Sequence, residues 1–228
     1  MKLKTHALKL LFALTLIACQ SKPTKGNTPK TYLALGDSYT IGESVSDRLR
    51  WPNQLVSALN KNGRQFEPAT IIAKTGWTTD ELTTAMDTTA LASSYDYVSL
   101  LIGVNNQYRE RSIENFETEF IQLLNRSIAL GNQKGANVFV LSIPDWGVMP
   151  FAEGRDREQI AREIDQFNSV IQRICRNKNV AYFDITPISR AAETNGALVA
   201  EDGLHPSGEM YAKWVNTALP FFNTVVHE

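Results

Sequence analysis

The apolar residues of this chain alternate between short continuous runs and longer segments of helical periodicity. Five short apolar runs predict buried β-strands, at residues 31–36, 70–74, 95–102, 137–142 and 180–184. Apolar residues spaced three or four positions apart predict helices at residues 48–62, 79–90, 112–132, 157–177 and 207–225. Because the strands are apolar throughout and alternate with helices, the pattern predicts an α/β fold whose parallel sheet is covered on both faces.

In sheets of this kind, ligands bind at the carboxyl ends of the strands. Glycine and polar residues that could carry chemistry follow the predicted strands at those ends. Residues 36–38 follow the first strand, Gly76 the second and residues 103–106 the third, while residues 202–205 lie between the fifth strand and the last helix. We therefore expect four segments of the chain to meet at one edge of the sheet.

Composition adds few constraints on the fold but excludes several classes of partner. The 228 residues, 43% hydrophobic and 21% charged, suit one globular domain. Lys and Arg number 23 against 24 Asp and Glu, and loss of the first 18 residues would remove three lysines and no acid, leaving a formal charge of −4. So weak an acidic balance argues against nucleic acid or anionic lipid as the main partner.

The histidine and cysteine counts narrow the chemistry further. Of three histidines, His6 lies near the N-terminus and His227 is next to last, so only His205 lies within the body of the expected fold. Two cysteines, Cys19 and Cys175, are too few for a disulfide framework or a cysteine metal cluster. The sequence therefore predicts no metal and no organic cofactor, and any histidine chemistry must use His205.

The N-terminal segment is typical of a targeting sequence. Basic residues precede an apolar run that is too short to span a bilayer, and the run ends at Cys19 in a pattern that resembles the lipobox of bacterial lipoproteins. This predicts a signal peptide at residues 1–18, lipidation of Cys19 and a flexible tether at residues 19–30. The domain, residues 31–228, would be held at the bacterial cell envelope by lipid alone, and Gln20 favours the outer membrane if the source is Gram-negative. An ordinary secretory signal is the alternative.

Three polar residues of the expected edge suit nucleophilic catalysis. Ser38 follows a strand and a glycine, so a tight turn can present its hydroxyl. Serine is a poor nucleophile at neutral pH and needs a base within hydrogen-bond reach, and His205 is the imidazole available. Asp202, three residues earlier, can accept a hydrogen bond from the far ring nitrogen and stabilise the imidazolium.

Two further residues can stabilise an oxyanion. Gly76 can supply a backbone N–H and Asn105 a side-chain amide to the charge that develops on an attacked carbonyl. Taken alone, Gly76 would be a loop glycine and Asn105 a turn residue. Asp37 either braces the turn that carries Ser38 or takes part in the chemistry, and the sequence favours a brace.

These motifs resemble those of the SGNH (GDSL-type) hydrolase family. Residues 36–39 (Gly-Asp-Ser-Tyr) and 202–206 (Asp-Gly-Leu-His-Pro) are similar to its first and last blocks, Gly76 falls at its oxyanion glycine, and residues 103–106 (Gly-Val-Asn-Asn) are similar to its Gly-x-Asn-Asp block. The resemblance extends over residues 31–226. Two positions depart from the pattern, since Tyr39 replaces a leucine and Asn106 replaces an aspartate.

The resemblance implies a fold and a reaction. The fold would be a flavodoxin-like three-layer α/β/α sandwich with a five-stranded parallel sheet. The reaction would be ester or thioester hydrolysis through an acyl-enzyme, with Ser38, Asp202 and His205 as the triad. The oxyanion hole would consist of the Ser38 N–H, Gly76 and Asn105.

The substrate is less constrained. The loop at residues 143–151 should border the cleft. Trp77 directly follows Gly76 and Tyr108 closely follows residues 103–106, so both aromatic side chains should also lie near the cleft. The absence of a long hydrophobic lid favours a short acyl group or a soluble ester, and both acetylated glycans and lysophospholipids fit. A non-catalytic envelope lipoprotein that binds glycan or peptide, and an acyltransferase, remain as alternatives. The oligomeric state is open, with a monomer as the default.

Overall fold

The computed structural model describes residues 28–224, which form an α/β fold around one parallel sheet. In these residues the sheet has five strands in the order β2-β1-β3-β4-β5. The strands are β1 (Tyr32–Gly36), β2 (Thr70–Ala73), β3 (Tyr97–Leu101), β4 (Val138–Leu141) and β5 (Ala181–Phe183). Every neighbouring pair is parallel, and the order is that of flavodoxin-like sheets. The predicted fold class and strand count are confirmed.

Helices connect the strands and cover both faces of the sheet. They are α1 (Ser38–Ile41), α2 (Trp51–Lys61), α3 (Thr79–Thr88), α4 (Val104–Tyr108), α5 (Ile113–Leu130), α6 (Arg157–Asn177), α7 (Thr186–Arg190), α8 (Gly208–Ala218) and α9 (Phe221–Thr224). Short 3₁₀ turns lie at Asp47–Leu49, Gly135–Asn137, Trp146–Val148, Pro150–Ala152, Ala191–Glu193 and Gly196–Leu198. Helix α2 packs against α8, whereas α5 packs against α3 and α6. These two groups form the outer layers.

The burial of the strands explains their composition. Every residue of β1, β3 and β4 is buried, because these strands lie in the middle of the sheet with helices on both sides. Edge strands β2 and β5 are only partly buried. The continuous apolar runs in the sequence are therefore the mark of a parallel sheet covered on both faces.

The last predicted helix, residues 207–225, was wrong in one respect. Helix α8 ends at Ala218, and α9 begins at Phe221. Pro220 lies between them, and its ring removes a backbone N–H and clashes with the preceding turn of a continuous helix. Phe221 and Phe222 after the break are buried against the core.

The N-terminal predictions lie largely outside the described residues. The signal peptide, Cys19 and most of the tether fall before residue 28. Lys30, the last residue of the predicted tether, forms a parallel bridge with Phe66 and an ion pair with Asp96 at 2.9 Å. Within residues 28–224, no helix has the length and apolar character needed to cross a bilayer.

Candidate active site

The turn between β1 and α1, which we call the serine turn (residues 36–40), presents Ser38 at the first position of a helix. Asp37 caps that helix, and its Oδ1 accepts a hydrogen bond from the Tyr39 N–H at 3.0 Å. Ser38 itself is only 5% exposed. Gly36 allows the backbone of β1 to lie close to α1 and β3. A Cβ at this position would lie 2.2 Å from Thr40 Oγ1 and 2.4 Å from the Leu101 carbonyl.

The carboxyl group of Asp37 lies in an apolar environment. The residue is fully buried, and its Oδ2 has no hydrogen-bond partner in the described part of the chain. Burial raises the pKa of Asp37 to about 7, although the Tyr39 N–H opposes the shift. Its contacts are those of a brace for the turn, the interpretation that the sequence favours.

A second turn, which we call the histidine turn (residues 202–205), brings Asp202 and His205 together. His205 Nδ1 lies 2.5 Å from Asp202 Oδ2, and Asp202 Oδ1 accepts hydrogen bonds from the N–H groups of Leu204 and His205 at 2.9 Å each. Partial burial raises the pKa of Asp202, but the hydrogen bonds from His205, Ser44 and Leu204 outweigh it and hold that pKa well below its usual range. The carboxylate is therefore charged at neutral pH.

Backbone pairing closes the histidine turn at its base. Ala200 donates its N–H to the His205 carbonyl at 2.7 Å, and Ser207 donates to the Leu198 carbonyl at 2.8 Å. Ser207 also caps α8, since its Oγ accepts a hydrogen bond from the Met210 N–H at 3.3 Å. This cap ties the turn to the final helix.

Two candidate oxyanion donors lie on separate segments. Gly76 has a φ of +87°, a conformation that favours glycine, and its carbonyl accepts a hydrogen bond from Arg109 Nη2 at 2.6 Å. Asn105 lies on α4, and its Nδ2 donates to the Trp77 carbonyl at 2.9 Å. That bond uses one of the two amide hydrogens and fixes the side chain beside the oxyanion glycine.

Asn106, which departs from the family pattern, has a defined set of partners. The residue is fully buried, and its Oδ1 accepts a hydrogen bond from the Thr79 N–H at 3.1 Å. Its Nδ2 donates to Thr79 Oγ1 at 2.6 Å, and that hydroxyl donates to Glu119. An aspartate could not donate to the Thr79 hydroxyl, so the asparagine allows this hydroxyl to serve Glu119. The chain of bonds anchors α4 to α3 and α5.

The four segments expected at one sheet edge meet around a cleft of about 190 Å³. The cleft is lined by Ser38, Tyr39, Thr75, Gly76, Val104, Asn105, Tyr108, Trp146, Phe151, Leu204 and His205. Asp202 contacts His205 rather than the cleft itself. Ser38 Oγ and His205 share no hydrogen bond in residues 28–224, and such bonds are often long before substrate binds.

One wall of the cleft is aromatic. Tyr108, Trp146 and Phe151 contact one another with ring centroids 5.3 to 6.5 Å apart. The Arg155 guanidinium lies 5.3 to 5.5 Å from all three rings. The loop at residues 143–151 therefore borders the cleft as expected, whereas Trp77 contributes its carbonyl to Asn105 and does not line the cleft.

Two contacts made by the segment that follows α1 could not be predicted from the sequence. Ser44 Oγ donates a hydrogen bond to Asp202 Oδ2 at 2.7 Å, and Thr75 Oγ1 donates to Glu43. Neither Ser44 nor Glu43 belongs to a recognisable motif, and their partners lie 158 and 32 positions away in the sequence. Only the polar character of the segment could have drawn attention to it.

The remaining reactive side chains of the described domain give no sign of a metal centre. Among residues 28–224, no three His, Cys, Asp or Glu side chains are grouped so that they could bind a metal ion. Cys175 is buried in α6, and burial raises the pKa of its thiol to about 12. It packs as a small apolar residue.

Solved structures share this fold at low sequence identity. Axe2, an acetylxylan esterase from Geobacillus stearothermophilus, is 18% identical, has a TM-score of 0.67 and aligns over 87% of this chain and 96% of its own. TesA is 16% identical with a TM-score of 0.67 over 86% of this chain and 100% of its own. EstA, a psychrotrophic esterase from Pseudoalteromonas sp., is 16% identical, has a TM-score of 0.65 and aligns over 85% of this chain and 97% of its own. At these identities the likeness shows the fold alone.

Sequence comparison supplies the family. No curated protein matches the chain. Residues 34–213, most of the described domain, match the GDSL-like lipase/acylhydrolase family. The match begins within β1, before the serine turn, and ends in α8, after the histidine turn. The chain therefore belongs to the GDSL-like lipase/acylhydrolase family of carboxylic ester hydrolases.

Proposed function

We propose that this enzyme hydrolyses esters of short acyl groups through a Ser38–His205–Asp202 triad and an acyl-enzyme intermediate. The observation that carries the proposal is the meeting of Ser38, His205, Gly76 and Asn105 around one cleft, although they come from four separate segments. A Gly-Asp-Ser turn or an Asp-x-x-His turn alone would be unremarkable, but their convergence beside two amide donors suits acyl transfer.

In the first half of the reaction, the Ser38 hydroxyl attacks the ester carbonyl. Because His205 Nδ1 faces Asp202, the opposite nitrogen, Nε2, is the one available to take the Ser38 proton. The carbonyl oxygen becomes an oxyanion, which accepts hydrogen bonds from the N–H groups of Ser38 and Gly76 and from Asn105 Nδ2. His205 then returns the proton to the leaving alcohol as the carbon–oxygen bond breaks.

In the second half, water releases the acyl group. His205 takes a proton from a water molecule that attacks the acyl-Ser38 carbonyl, and the same three donors stabilise the second oxyanion. Collapse of this intermediate returns the proton to Ser38 Oγ and frees the carboxylic acid. Asp202, held charged by its hydrogen bonds, stabilises the imidazolium in both halves.

The dimensions of the cleft support a short acyl group. Its volume of about 190 Å³ is below the roughly 300–1,000 Å³ of sites for drug-sized ligands. A long acyl chain would have to lie outside it. The exposed rings of Tyr108 and Phe151 suit a sugar ring at the cleft mouth, so we favour acetylated glycans over lysophospholipids. Axe2, which shares this fold, is an acetylxylan esterase, and this is consistent with our choice.

The proposed site of action depends on the N-terminal sequence alone. Lipidation at Cys19 would hold the enzyme at the cell envelope, with the tether allowing it to reach an envelope substrate. A Cys19→Ala protein should then leave the membrane fraction and keep its activity.

The deciding experiment measures hydrolysis of p-nitrophenyl esters from acetate to palmitate. We expect activity to be highest on acetate or butyrate and to fall by about 10⁴-fold or more in kcat for Ser38→Ala and His205→Ala. Asn105→Ala should lose about 10²–10³-fold in kcat. Folded Ser38→Ala protein that retains activity would refute the triad, and a preference for palmitate would refute the short acyl group. Added acceptor alcohol separates hydrolysis from acyl transfer.

A further inference from the structure

The segment that follows α1 contains a residue in an unfavourable backbone conformation. Ser44 has a φ of +63°, in the left-handed region where serine is uncommon and glycine is favoured. Residues persist in such conformations when surrounding contacts hold them, and they concentrate at functional sites. The contact here is the hydrogen bond from Ser44 Oγ to Asp202 Oδ2 at 2.7 Å.

This hydrogen bond joins the two turns of the site. Helix α1 ends in a cap in which the N–H groups of Gly42 and Glu43 both donate to the Ser38 carbonyl at 3.0 Å. Ser44 follows immediately and reaches a carboxylate 158 positions away in the sequence. The backbone that carries Ser38 is thus connected to the side chain that supports His205.

The four bonds to Asp202 also fix the orientation of its carboxylate. Oδ1 accepts from two backbone N–H groups of its own turn, while Oδ2 faces both His205 Nδ1 and Ser44 Oγ. The Asp202 side chain is 30% exposed, so without Ser44 a water molecule would donate the hydrogen bond to Oδ2 in its place. A fixed protein donor holds the carboxylate plane more firmly than exchanging water does.

We propose that Ser44 is a positioning residue that holds the Asp202 carboxylate in the orientation that supports His205. The inference rests on the proposed triad and adds to it a residue outside the triad and the oxyanion hole. Ser44 touches no reacting atom and acts through Asp202. Its left-handed backbone is the local cost of bringing a hydroxyl to that carboxylate.

Other titratable groups face the Asp202–His205 pair from neighbouring elements. Tyr39 of α1 lies edge-on to the His205 ring at 5.7 Å, and Tyr211 of α8 is buried near Tyr39, Asp37 and Asp202. Glu43 adjoins Ser44 and binds Thr75. These groups are common to every Ser44 variant, so a difference in pH profile between variants reports on the changed side chain.

Three substitutions of Ser44 separate the effect of its hydroxyl from the effect of its backbone conformation. Ser44→Gly removes the donor and relaxes the left-handed conformation. Ser44→Asn and Ser44→Asp are a matched pair, because both residues tolerate positive φ and have the same shape, but only asparagine can donate to Asp202. Gln133→Gly is the backbone control, since Gln133 has a φ of +60° and is exposed.

We expect Ser44→Gly to lower kcat about 3- to 10-fold with little change in KM, the loss of one partly exposed hydrogen bond to a charged group. Its thermal stability should equal or exceed that of the parent enzyme, as in Gln133→Gly. Ser44→Asn should keep kcat within about 2-fold of the parent. Ser44→Asp should lower kcat more than Ser44→Gly does. In its pH profile of kcat/KM, the acid limb should move to higher pH, because the added carboxylate favours the protonated imidazole.

Equal kcat and equal acid limbs for Ser44→Asn and Ser44→Asp would overturn the proposal, as would parental kcat in Ser44→Gly. Ser38→Ala is assayed beside them on the same ester. If Ser38→Ala keeps its activity, the proposed triad itself fails. If Ser38→Ala is inactive while the Ser44 variants are unaffected, only the role of Ser44 fails.

Discussion

The serine turn and the histidine turn face the same cleft but are stabilised in opposite ways. In the histidine turn, both oxygens of Asp202 are fully engaged by hydrogen bonds, although the residue is partly exposed. In the serine turn, Asp37 and Thr40 are fully buried, yet Asp37 Oδ2 and Thr40 Oγ1 lack partners among the described residues. The serine turn keeps its backbone bonds and the Asp37 cap, but it leaves two buried side-chain oxygens without partners and so depends more on packing than the histidine turn does.

This difference has a physical consequence for each turn. Three of the four hydrogen bonds to Asp202 come from within its own turn, so the histidine turn can keep its shape when its surroundings change slightly. A turn held by packing depends on every atom around it, because protein interiors tolerate neither extra volume nor an uncompensated charge. We therefore expect the serine turn to be the more sensitive of the two to substitution and to pH.

The two glycines of the turns provide the largest expected contrast. In Gly36→Ala, the new Cβ would meet Thr40 Oγ1 at 2.2 Å and a strand carbonyl at 2.4 Å, and we expect the free energy of unfolding to fall by about 3 kcal/mol or more. In Gly203→Ala, the nearest atom is Pro150 Cβ at 3.4 Å, so only the φ of +73° opposes the change, at about 1–2 kcal/mol. Urea unfolding of both variants measures the difference, and equal losses would contradict it.

The pH dependence of stability tests the buried carboxyl. Asp37 ionises near 7 in the folded protein, whereas in the unfolded chain it ionises near its usual value, about 3.9. Because the folded state holds the proton more tightly, this group's contribution is fully present below pH 4, falls between pH 4 and 7, and is constant above. The fall should approach about 1.4 kcal/mol per pH unit. Asp37→Asn should not show this fall in stability.

The measurement compares urea unfolding of the parent and Asp37→Asn from pH 4 to pH 8. The stability of the variant relative to the parent should rise across the window in which the parent declines. Glu153→Gln is the matched control, since Glu153 is an exposed acid. If the curves of the parent and Asp37→Asn run parallel, the buried carboxyl does not titrate as described.

The smallest expected effect concerns the cap of the histidine turn. Ser207→Ala removes the cap of α8 and a hydrogen bond to the Ala197 carbonyl at 2.7 Å, and should cost about 1 kcal/mol of stability. We expect kcat to stay within about 2-fold of the parent, because the bonds to Asp202 are untouched. Ser112→Ala, which removes the cap of α5, is the control. A large loss of kcat in Ser207→Ala alone would show that the turn is less self-contained than its contacts indicate.

The sheet and the long helices could be predicted because each is encoded by local periodicity. The predicted helix at residues 157–177 matches α6 at both ends, since Asp156 caps it and the apolar stripe is continuous. Short helices α1, α4 and α7 have four or five residues, too few to show a period. The break at Pro220 was missed because apolar residues continue on both sides of it.

The convergence of the site could be predicted from a rule of topology, whereas its supporting contacts could not. Parallel strands end at one edge, so Ser38, Gly76 and Asn105 were expected near His205, and all four line one cleft. The bond from Ser44 depends on a left-handed backbone and on a partner 158 residues away. The bond between Asn106 and Thr79 likewise depends on how α4 docks against α3. Neither follows from a motif.

The backbone pairing at the base of the histidine turn has a consequence for motion. Ala200 and Ser207 bond across the base on either side of an antiparallel bridge between Val199 and Pro206, so the loop between them is closed into one unit. If this unit moved away from Ser38, Asp202 and His205 would stay paired with each other, but the hydrogen bonds from Ser44 to Asp202 and from the Phe151 N–H to the Gly203 carbonyl would have to break. The site could then open to admit substrate while its charges remain paired, and amide exchange at Ala200 and Ser207 would be slower than the opening itself.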